Sequence, residues 1–298
     1  MTRPAASIKP PGRLVLYARL VRLDKPVGTF LLLWPALWAL FLASGGRPDY
    51  TILAVFVAGV VLMRAAGCAI NDFADRDIDP HVARTRDRPL ASGALAPHEA
   101  LLVACVLAGV AFALAVLLLN SLTLRFALAA AVLAASYPFM KRLHALPQVH
   151  LGVAFAWSVP MAYTATTGNS PPPAAWLLFA CSVLWTVAYD TMYAMVDRED
   201  DRKLGVKSTA LLFGTADRLA VGLMQGLVLA GLAATGWLAG LGWPYHAALG
   251  AGAGLFCYQQ VLIRNREAPR CLRAFLNNQY FGLVIFIGIL ASYLVRSA

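Results

Sequence analysis

The chain has 298 residues, of which 60% are hydrophobic and only 13% are charged, with a formal net charge of +10. Ordinary soluble domains are nearer to ~45–50% apolar, so this composition excludes them and indicates a membrane protein. A strongly basic chain can bind nucleic acid, but retention of Lys and Arg on the cytoplasmic side of a bilayer accounts for this charge. We therefore expect the lipid bilayer, and no nucleic acid, as a partner.

Nine apolar stretches each approach the ~20 residues that a helix needs to cross a bilayer. They lie near residues 27–44, 51–70, 98–119, 122–140, 147–167, 174–195, 219–240, 245–263 and 274–295. The predicted fold is all-α: a polytopic membrane protein with nine transmembrane helices around a central cavity. We predict a single domain over residues 1–298, in which residues 1–25 form a cytoplasmic or interfacial segment.

Lys and Arg are concentrated in alternate connections between the predicted spans. If the N-terminus lies in the cytoplasm, 21 of the 25 Lys and Arg residues fall in cytoplasmic segments, which is the bias that such segments carry. We therefore predict a cytoplasmic N-terminus and an external C-terminus. The excess of Arg over Lys and the abundance of Ala are typical of a GC-rich bacterial genome, so we expect the bacterial cytoplasmic (inner) membrane.

The acidic residues are concentrated at the ends of two predicted spans. Nine of the 15 Asp and Glu residues lie in two windows, 72–79 and 190–201. Within these windows "ADRDID" (74–79) and "VDREDD" (196–201) share the pattern D-R-[DE]-x-D. The chain therefore contains an internal repeat, and both copies are expected at the cytoplasmic face.

The spacing within each window suggests a metal site. If the windows continue their helices, steps of four and seven residues place side chains on one face. Such steps relate Asn71, Asp75 and Asp79 in one window and Asp190, Asp197 and Asp201 in the other. Mg2+ prefers oxygen ligands and leaves part of its shell to phosphate and water, so the two ladders predict Mg2+ ions that clamp a diphosphate. The competing interpretation, acids that only end helices and solvate loops, is disfavoured by the matched spacing.

Basic residues accompany the acidic windows and are candidates for binding phosphate oxygens. They are Arg84, Arg86 and Arg88 in the segment 82–90, and Lys141 and Arg142 after Tyr137. For Lys141 and Arg142, ordinary enrichment of cations beside a span is an equal alternative. Arg64 lies about two helical turns before Asn71 and should face the same cavity, either to bind an anion or to neutralise the acidic cluster.

These residues resemble the UbiA superfamily of intramembrane prenyltransferases, and most closely its 4-hydroxybenzoate polyprenyltransferases of ubiquinone biosynthesis. The similar stretches are "RLDKPVGTFLLLWPALWALFLA" (22–43), "GCAINDFADRDIDPHVARTRDRPLASG" (67–93), "YPFMKR" (137–142) and "YDTMYAMVDREDDRKLGVKSTALLFG" (189–214). The acidic motifs are typical of the superfamily as a whole. The stretches "LDKPVGTFLLLWP" and "YDTMYAMVDREDD" are similar to the 4-hydroxybenzoate branch in particular.

The resemblance implies an Mg2+-dependent enzyme that transfers a polyprenyl group from polyprenyl diphosphate to 4-hydroxybenzoate, at the ring carbon ortho to the hydroxyl. Its implied Mg2+ ligands are Asn71, Asp75, Asp79, Asp197 and Asp201. Its implied catalytic residues are Asp75, Asp197, Asp190 and Arg64, with Asp190 as a candidate base for the ring proton and Asp72 in support. Its implied substrate-binding residues are Arg22, Arg84, Arg88, Tyr137, Lys141 and Arg142, and the benzoate carboxylate is left to Arg22 or Arg64.

Two alternative functions stay open at this point. The first is a cation-coupled transporter with an ion site in each repeat, but transporter sites lie near the bilayer midplane, whereas these acids lie at one face. The second keeps the fold and changes the acceptor to dihydroxynaphthoate, homogentisate or haem. A long polyprenyl tail does not fit in a closed pocket. The interpretation as a prenyltransferase therefore also predicts a lateral opening from the cavity into the bilayer.

Overall fold

The computed structural model describes residues 12–143 and 146–297, apart from the side chains of Lys141 and Ser297. Every regular element in these ranges is helical. The α-helices are α1 (Arg13–Leu20), α2 (Val27–Ala43), α3 (Tyr50–Asp75), α4 (Pro97–Leu118), α5 (Ser121–Leu143), α6 (Pro147–Ala156), α7 (Ser158–Thr167), α8 (Pro173–Ala194), α9 (Arg198–Leu204), α10 (Thr209–Phe213), α11 (Asp217–Leu238), α12 (Trp243–Leu262) and α13 (Ala268–Ser297). The all-α prediction is therefore confirmed for the described part of the chain.

Among the described residues, six helical stretches are long and apolar enough to cross a membrane. They are Tyr50–Asp75, Pro97–Leu118, Ser121–Met140, Pro173–Ala194, Thr209–Leu238 and Ala268–Arg296, and Val27–Ala43 is a shorter apolar helix. Each of the nine predicted stretches falls on helical structure. The protein is thus a multi-pass membrane protein, whereas the count of nine and the orientation stay predictions.

The predicted span 147–167 is not one helix, because α6 ends at Ala156 and α7 begins at Ser158. Pro160 explains the break. Proline has no N–H to donate to the carbonyl four residues earlier, and its ring clashes with that carbonyl, which here belongs to Ala156. Trp157 forms the joint, and its indole Nε1 donates to the carbonyl of Phe126 in α5 at 2.9 Å.

Three helices, α2, α8 and α13, pack against one another in the apolar core. The rings of Trp38 and Trp185 stack with centroids 5.2 Å apart, and the ring of Phe281 lies 5.4 Å from that of Trp185. The two indoles also donate hydrogen bonds into α13, to the carbonyl of Gly282 at 3.1 Å and to Oδ1 of Asn278 at 2.9 Å. Both buried N–H groups are therefore satisfied, and α13 is fixed in register with α2 and α8.

The acidic windows do not form the continuous helical ladders that their spacing suggested. The helix α3 ends at Asp75, so Asp79 lies in a separate 3-10 turn, Asp79–His81. Pro80 accounts for this end, because its ring would clash with the carbonyl of Arg76 in a continuing helix. In the second window α8 ends at Ala194, so Asp197 lies in the connection before α9.

The N-terminal helix α1 lies against the same end of α3. Leu16 and Leu20 are buried in a cluster with Ala66 and Ala69 of α3 and with residues of α4. Beyond this helix, Arg22 adopts φ +60°, a left-handed conformation that is uncommon for residues other than glycine. This turn directs the chain from α1 into α2 and places Arg22 beside the end of α3.

Candidate active site

A cavity of about 1070 Å³ lies between α2, α3, α4, α5, α6, α7, α8 and α13. Its wall is largely apolar, with alanines of α4 and α5 along one side, such as Ala111 and Ala130. Polar side chains gather at the end where α3 and α8 approach the acidic windows. Those predicted from the sequence that line it are Arg22, Arg64, Asn71, Asp72, Arg84, Arg88, Tyr137 and Asp190.

The first acidic window surrounds the end of α3. Asn71 donates through Nδ2 to Oδ2 of Asp75 at 3.2 Å, as expected for residues one turn apart. Asp72 is buried, and its Oδ1 accepts hydrogen bonds from Arg22 at 2.6 Å and from Arg88 at 3.1 Å. The other oxygen of Asp72, Oδ2, is buried without a hydrogen-bond partner among the described residues.

Arg88 joins Asp72 to the 3-10 turn, because its Nη1 also donates to Oδ2 of Asp79 at 2.8 Å. The backbone of Asp79 is held in turn by Thr85, whose hydroxyl donates to the Asp79 carbonyl at 2.9 Å. The connection between α3 and α4 is therefore folded back over its own acidic residues. Asp79 itself is buried and does not line the cavity.

In the second window, Asp197 is bound by Arg84 from the α3–α4 connection. Arg84 donates through Nε to Oδ1 at 3.0 Å and through Nη2 to Oδ2 at 2.5 Å, which is the bidentate arrangement that makes such pairs strong. Its guanidinium also lies 4.6 Å from the ring centroid of Tyr193 and donates to the Tyr193 hydroxyl. Desolvation is the largest single effect and lowers the pKa of Arg84, but Asp197, Tyr193 and Asp79 together raise the pKa above its ordinary value.

Two further contacts tie α9 to the same region. The backbone N–H of Ala83 donates to Oδ2 of Asp200 at 3.4 Å, and the N–H of Asp201 donates to the carbonyl of Asp197 at 2.8 Å. The Asp201 side chain, however, lies beside a separate surface pocket near Lys207 and not at the cavity. The structure therefore brings Asp197 to the arginines of the first window but leaves Asp201 farther out.

Arg64 has a different environment from the other arginines at the cavity. Its Nη1 donates to Sγ of Cys68, one turn later in α3, at 2.6 Å. Its guanidinium lies directly against the backbone of Gly28 in α2, where an added Cβ would be 2.6 Å from Nε. Within the described part of the chain Arg64 makes no salt bridge with a carboxylate. Asp190 lines the same cavity, so Arg64 and Asp190 face one space from two helices.

The remaining predicted residues are placed less centrally. Arg142 donates to the backbone carbonyl of Ala74 and does not line the cavity. Arg84 lines the cavity and binds Asp197, whereas Arg86 does not line it, so of the arginines in the segment 82–90 Arg84 and Arg88 are the ones at the site. Lys141 belongs to α5, but its side chain, which was predicted to bind the diphosphate, lies outside the described part of the structure.

Sequence reasoning did not select two residues that shape the site, Gly28 and Cys68. Cys68 carries no sequence signal, because a lone cysteine in an apolar run is an ordinary packing residue. Gly28 carries a weak one, since an isolated glycine in a helical pattern often marks a close approach of another group. Only the rotation of α2 against α3 identifies that group as Arg64.

The carboxylate and amide oxygens at the site are of the kind that Mg2+ prefers. Among the described residues, however, no group of three or more Asp, Glu, His or Cys side chains is arranged to hold a metal ion. Arg84 and Arg88 bind the carboxylates of Asp197, Asp72 and Asp79 in this arrangement. Mg2+ needs only one or two protein carboxylates when phosphate and water supply the rest. The adjacent Asn71 and Asp75, and the buried free oxygen of Asp72, are oxygen donors of that kind.

Comparisons with known proteins agree with this architecture. A protein from Saccharophagus degradans named 4-hydroxybenzoate octaprenyltransferase is 54% identical over 296 residues, which is 99% of this chain and 98% of that protein. The apo structure of a UbiA homolog from Aeropyrum pernix superposes with a TM-score of 0.79 at 28% identity, covering 91% of this chain and 98% of that chain. A UbiA homolog from Archaeoglobus fulgidus bound to GPP and Mg2+ shares the fold, with a TM-score of 0.69 at 18% identity over 95% of this chain and 100% of that chain.

The sequence model described as the UbiA prenyltransferase family matches residues 32–288 of this chain. The matched region runs from α2 to α13 and includes both acidic windows and most of the residues that line the cavity. The chain therefore belongs to the UbiA prenyltransferase family.

Proposed function

We propose that the protein transfers a polyprenyl group from polyprenyl diphosphate to the ring carbon ortho to the hydroxyl of 4-hydroxybenzoate, giving 3-polyprenyl-4-hydroxybenzoate for ubiquinone biosynthesis. One observation carries the proposal: a large cavity has an apolar wall and, at one end, arginines together with Asp72 and Asp190, one carboxylate from each acidic window. An apolar tail with an anionic head matches such a cavity. The near full-length similarity to a 4-hydroxybenzoate octaprenyltransferase supports the choice of acceptor.

At the donor end, Asn71, Asp75, Asp79, Asp197 and Asp201 are the proposed Mg2+ ligands. When bound, Mg2+ stabilises the negative charge that accumulates on the departing diphosphate. Arg84 and Arg88 are the proposed diphosphate ligands, together with Tyr137 and Lys141. In the present arrangement these two arginines bind aspartates, so donor binding requires an exchange of partners, in which the arginines turn to phosphate oxygens and release the carboxylates.

At the acceptor end, Arg64 is the proposed ligand of the benzoate carboxylate. Arg22 is the weaker of the two arginine candidates, because it already binds the buried Asp72 and two backbone carbonyls. The allylic C–O bond breaks with its electron pair leaving on diphosphate, and the acceptor ring forms the new C–C bond. Asp190, on the cavity wall with Arg64, is the proposed acceptor of the ring proton, which restores the aromatic ring.

The apolar wall has two proposed roles. It keeps water away from the allylic cation until the ring attacks, and it holds the isoprene units next to the diphosphate. The short side chains of Ala108, Ala111 and Ala115 on α4 line this wall and leave room for the tail. We propose that the tail leaves the cavity laterally into the bilayer, so that the enzyme restricts the length of the donor only weakly.

We further propose that residues 1–298 form one domain with nine spans, a cytoplasmic N-terminus and an active site that faces the cytoplasm of a bacterium. The support is the concentration of both acidic windows and their basic connections at one end of the helices, where Arg84 meets Asp197. Lys and Arg are retained on the cytoplasmic side. A soluble acceptor such as 4-hydroxybenzoate would then reach the site from the cytoplasm.

A transfer assay tests this function. Purified protein in detergent is given radiolabelled 4-hydroxybenzoate and geranyl or longer prenyl diphosphates, with Mg2+ or with excess EDTA. We expect label to enter the lipid phase only with Mg2+, and with donors of several lengths. Transfer to dihydroxynaphthoate or homogentisate instead of 4-hydroxybenzoate would contradict the proposed acceptor. Absence of transfer to every acceptor would contradict the enzyme and favour the transporter.

A further inference from the structure

We infer that Gly28 is a positioning residue for acceptor recognition: the missing side chain at this position lets the guanidinium of Arg64 lie where it binds the carboxylate of the acceptor. This inference rests on the proposed function, in which Arg64 binds that carboxylate. The preference for an acidic acceptor is thus attributed to two residues, Arg64 on α3 and Gly28 on α2. Gly28 contributes through the absence of a side chain.

The inference depends on the close approach of α2 to α3 at Gly28 and Arg64. Gly28 lies in the first turn of α2, and a Cβ built on it would be 2.6 Å from Nε and 2.9 Å from Cζ of Arg64. Carbon atoms at van der Waals contact are about 3.5–4.0 Å apart, so no side chain fits at position 28 with Arg64 in its present place. Any substitution there must displace the guanidinium.

The other neighbours of Arg64 leave it available for a ligand. Its hydrogen-bond acceptor within α3 is the thiol of Cys68, which is a weak acceptor. Arg22, Arg84 and Arg88 at the same cavity each bind an aspartate carboxylate, whereas among the described residues Arg64 does not. A guanidinium held between a glycine and a thiol can therefore use its planar edge for a carboxylate of a ligand.

Two other glycines provide matched controls. Gly59 and Gly67 belong to α3 and line the same cavity, but a Cβ added at either would meet nothing within 4 Å. Alanine also has the higher helix propensity, by about 1 kcal/mol, so none of the three substitutions is expected to weaken its helix. An added Cβ therefore meets Arg64 in Gly28→Ala but meets nothing within 4 Å in Gly59→Ala or Gly67→Ala.

The test is a kinetic comparison of these three variants. We expect Gly28→Ala to raise the KM for 4-hydroxybenzoate by about tenfold or more, the effect of a lost hydrogen bond to a charged group, with little change in the KM for geranyl diphosphate. With methyl 4-hydroxybenzoate, which lacks the carboxylate, the difference from wild type should disappear. A Gly28→Ala variant that matches Gly67→Ala, or that loses as much activity with the ester as with the acid, would overturn the inference.

A double-mutant cycle separates positioning from a general disturbance of the helix pair. Lysine has no planar group to press against position 28, so Gly28→Ala should add little in an Arg64→Lys background, although it is costly in the wild type. Additive losses in the cycle would show that the two residues act independently and would contradict the inference. A shared melting temperature for Gly28→Ala and Gly67→Ala verifies that both variants are folded.

Direct binding distinguishes a failure of this inference from a failure of the proposed function. Titration of 4-hydroxybenzoate into the protein by calorimetry, with neither donor nor Mg2+, should show weaker binding to Gly28→Ala than to wild type. If wild type transfers no prenyl group to 4-hydroxybenzoate, the proposed function fails, and the titration still decides the inference. Equal binding to the two proteins, or binding to neither, would overturn it.

Discussion

At the scale of single residues, the site is a set of carboxylates that arginines neutralise before any ligand arrives. Asp72 is buried between Arg22 and Arg88, and both carboxylate oxygens of Asp197 accept hydrogen bonds from one edge of Arg84, its Nε and Nη2. Leaving such charges unpaired is costly in a low-dielectric site, so the arginines stabilise the empty cavity. In the proposed function Arg84 and Arg88 bind the diphosphate, so the ion pairs of this structure would hold these arginines near the site until the substrate binds.

We expect Arg84→Ala to raise the KM for geranyl diphosphate by about tenfold or more, because the proposed bidentate contact of Arg84 with phosphate would be lost. Arg84→Lys keeps the positive charge but lacks the planar guanidinium, so its KM should lie between the values for wild type and Arg84→Ala. Arg86→Ala is the matched control, since Arg86 lies two residues away in the same connection and does not line the cavity. Steady-state kinetics with varied donor measure the effect, and equal KM values for Arg84→Ala and Arg86→Ala would remove Arg84 from the donor site.

At the scale of elements, another buried aspartate, Asp217, organises the connection that carries Asp197. Asp217 begins α11 and is fully buried. It accepts hydrogen bonds from Arg198, at the start of α9, and from Nε and Nη2 of Arg266 at 3.0 and 2.8 Å. Arg266 adopts φ +57° between α12 and α13. Asp217 therefore ties α9, which follows Asp197 directly, to the C-terminal helices.

Removal of this charge should destabilise the protein. Asp217→Asn leaves two guanidinium groups without their counter-charge, and breaking a buried pair in this way costs about 3–5 kcal/mol. Glu267→Gln is the control, because Glu267 forms an exposed pair with Arg270, and such pairs contribute about 0–1 kcal/mol. Melting temperatures in detergent should fall clearly for the first variant and hardly for the second. A fall of the same size in both would contradict the structural role of Asp217.

The sequence predicted helices well and their ends less well, for identifiable reasons. Apolar stretches of membrane length are a local signal, and each predicted stretch lies on helical structure. The breaks at Trp157 and after Asp75 also have local causes, Pro160 and Pro80, which the prediction did not use. The break between α8 and α9 has no such marker, because Asp197 and Arg198 are held there by Arg84 and Asp217, which are distant in sequence.

The residues of the candidate site were predicted from the sequence about as well as the helices were. The two acidic windows and Arg84, Arg88 and Arg64 could be selected because charged residues are scarce in an apolar chain. Their partners could not, since the contacts of Arg64 with Gly28 and of Arg84 with Asp197 depend on how helices rotate and how a connection folds back. Five predicted residues have the expected spacing or charge but are not among those that line the cavity: Asp75, Asp79, Asp197, Asp201 and Arg142.

At the scale of the whole molecule, the charged residues of the candidate site lie together at one end of an apolar helix bundle. That asymmetry and the distribution of Lys and Arg predict a cytoplasmic N-terminus. With nine spans, the C-terminus after α13 would then lie on the opposite side of the membrane. The described structure contains six helical stretches of clear membrane length and a shorter one, so the number of crossings is a testable part of the account.

Fusions at the C-terminus test this topology in a bacterial host. An odd number of crossings with a cytoplasmic N-terminus should give an active alkaline phosphatase fusion and a dark green fluorescent protein fusion. Fusions placed after Arg142, in a connection predicted to be cytoplasmic, should give the reverse pattern and serve as the control. A fluorescent C-terminal fusion would require an even number of crossings and would contradict the nine-span topology.

The central claim is that both acidic windows together bind the donor diphosphate through Mg2+, and equilibrium binding of geranyl diphosphate tests it most directly. Binding to the purified protein would be measured by calorimetry with Mg2+ and with EDTA, for wild type, Asp75→Asn and Asp197→Asn, with Asp77→Asn as an exposed acidic control. We predict Mg2+-dependent binding to wild type and Asp77→Asn that is weakened by about tenfold or more in the other two variants. Binding that ignores EDTA, or that survives unchanged in Asp75→Asn and Asp197→Asn, would contradict the account.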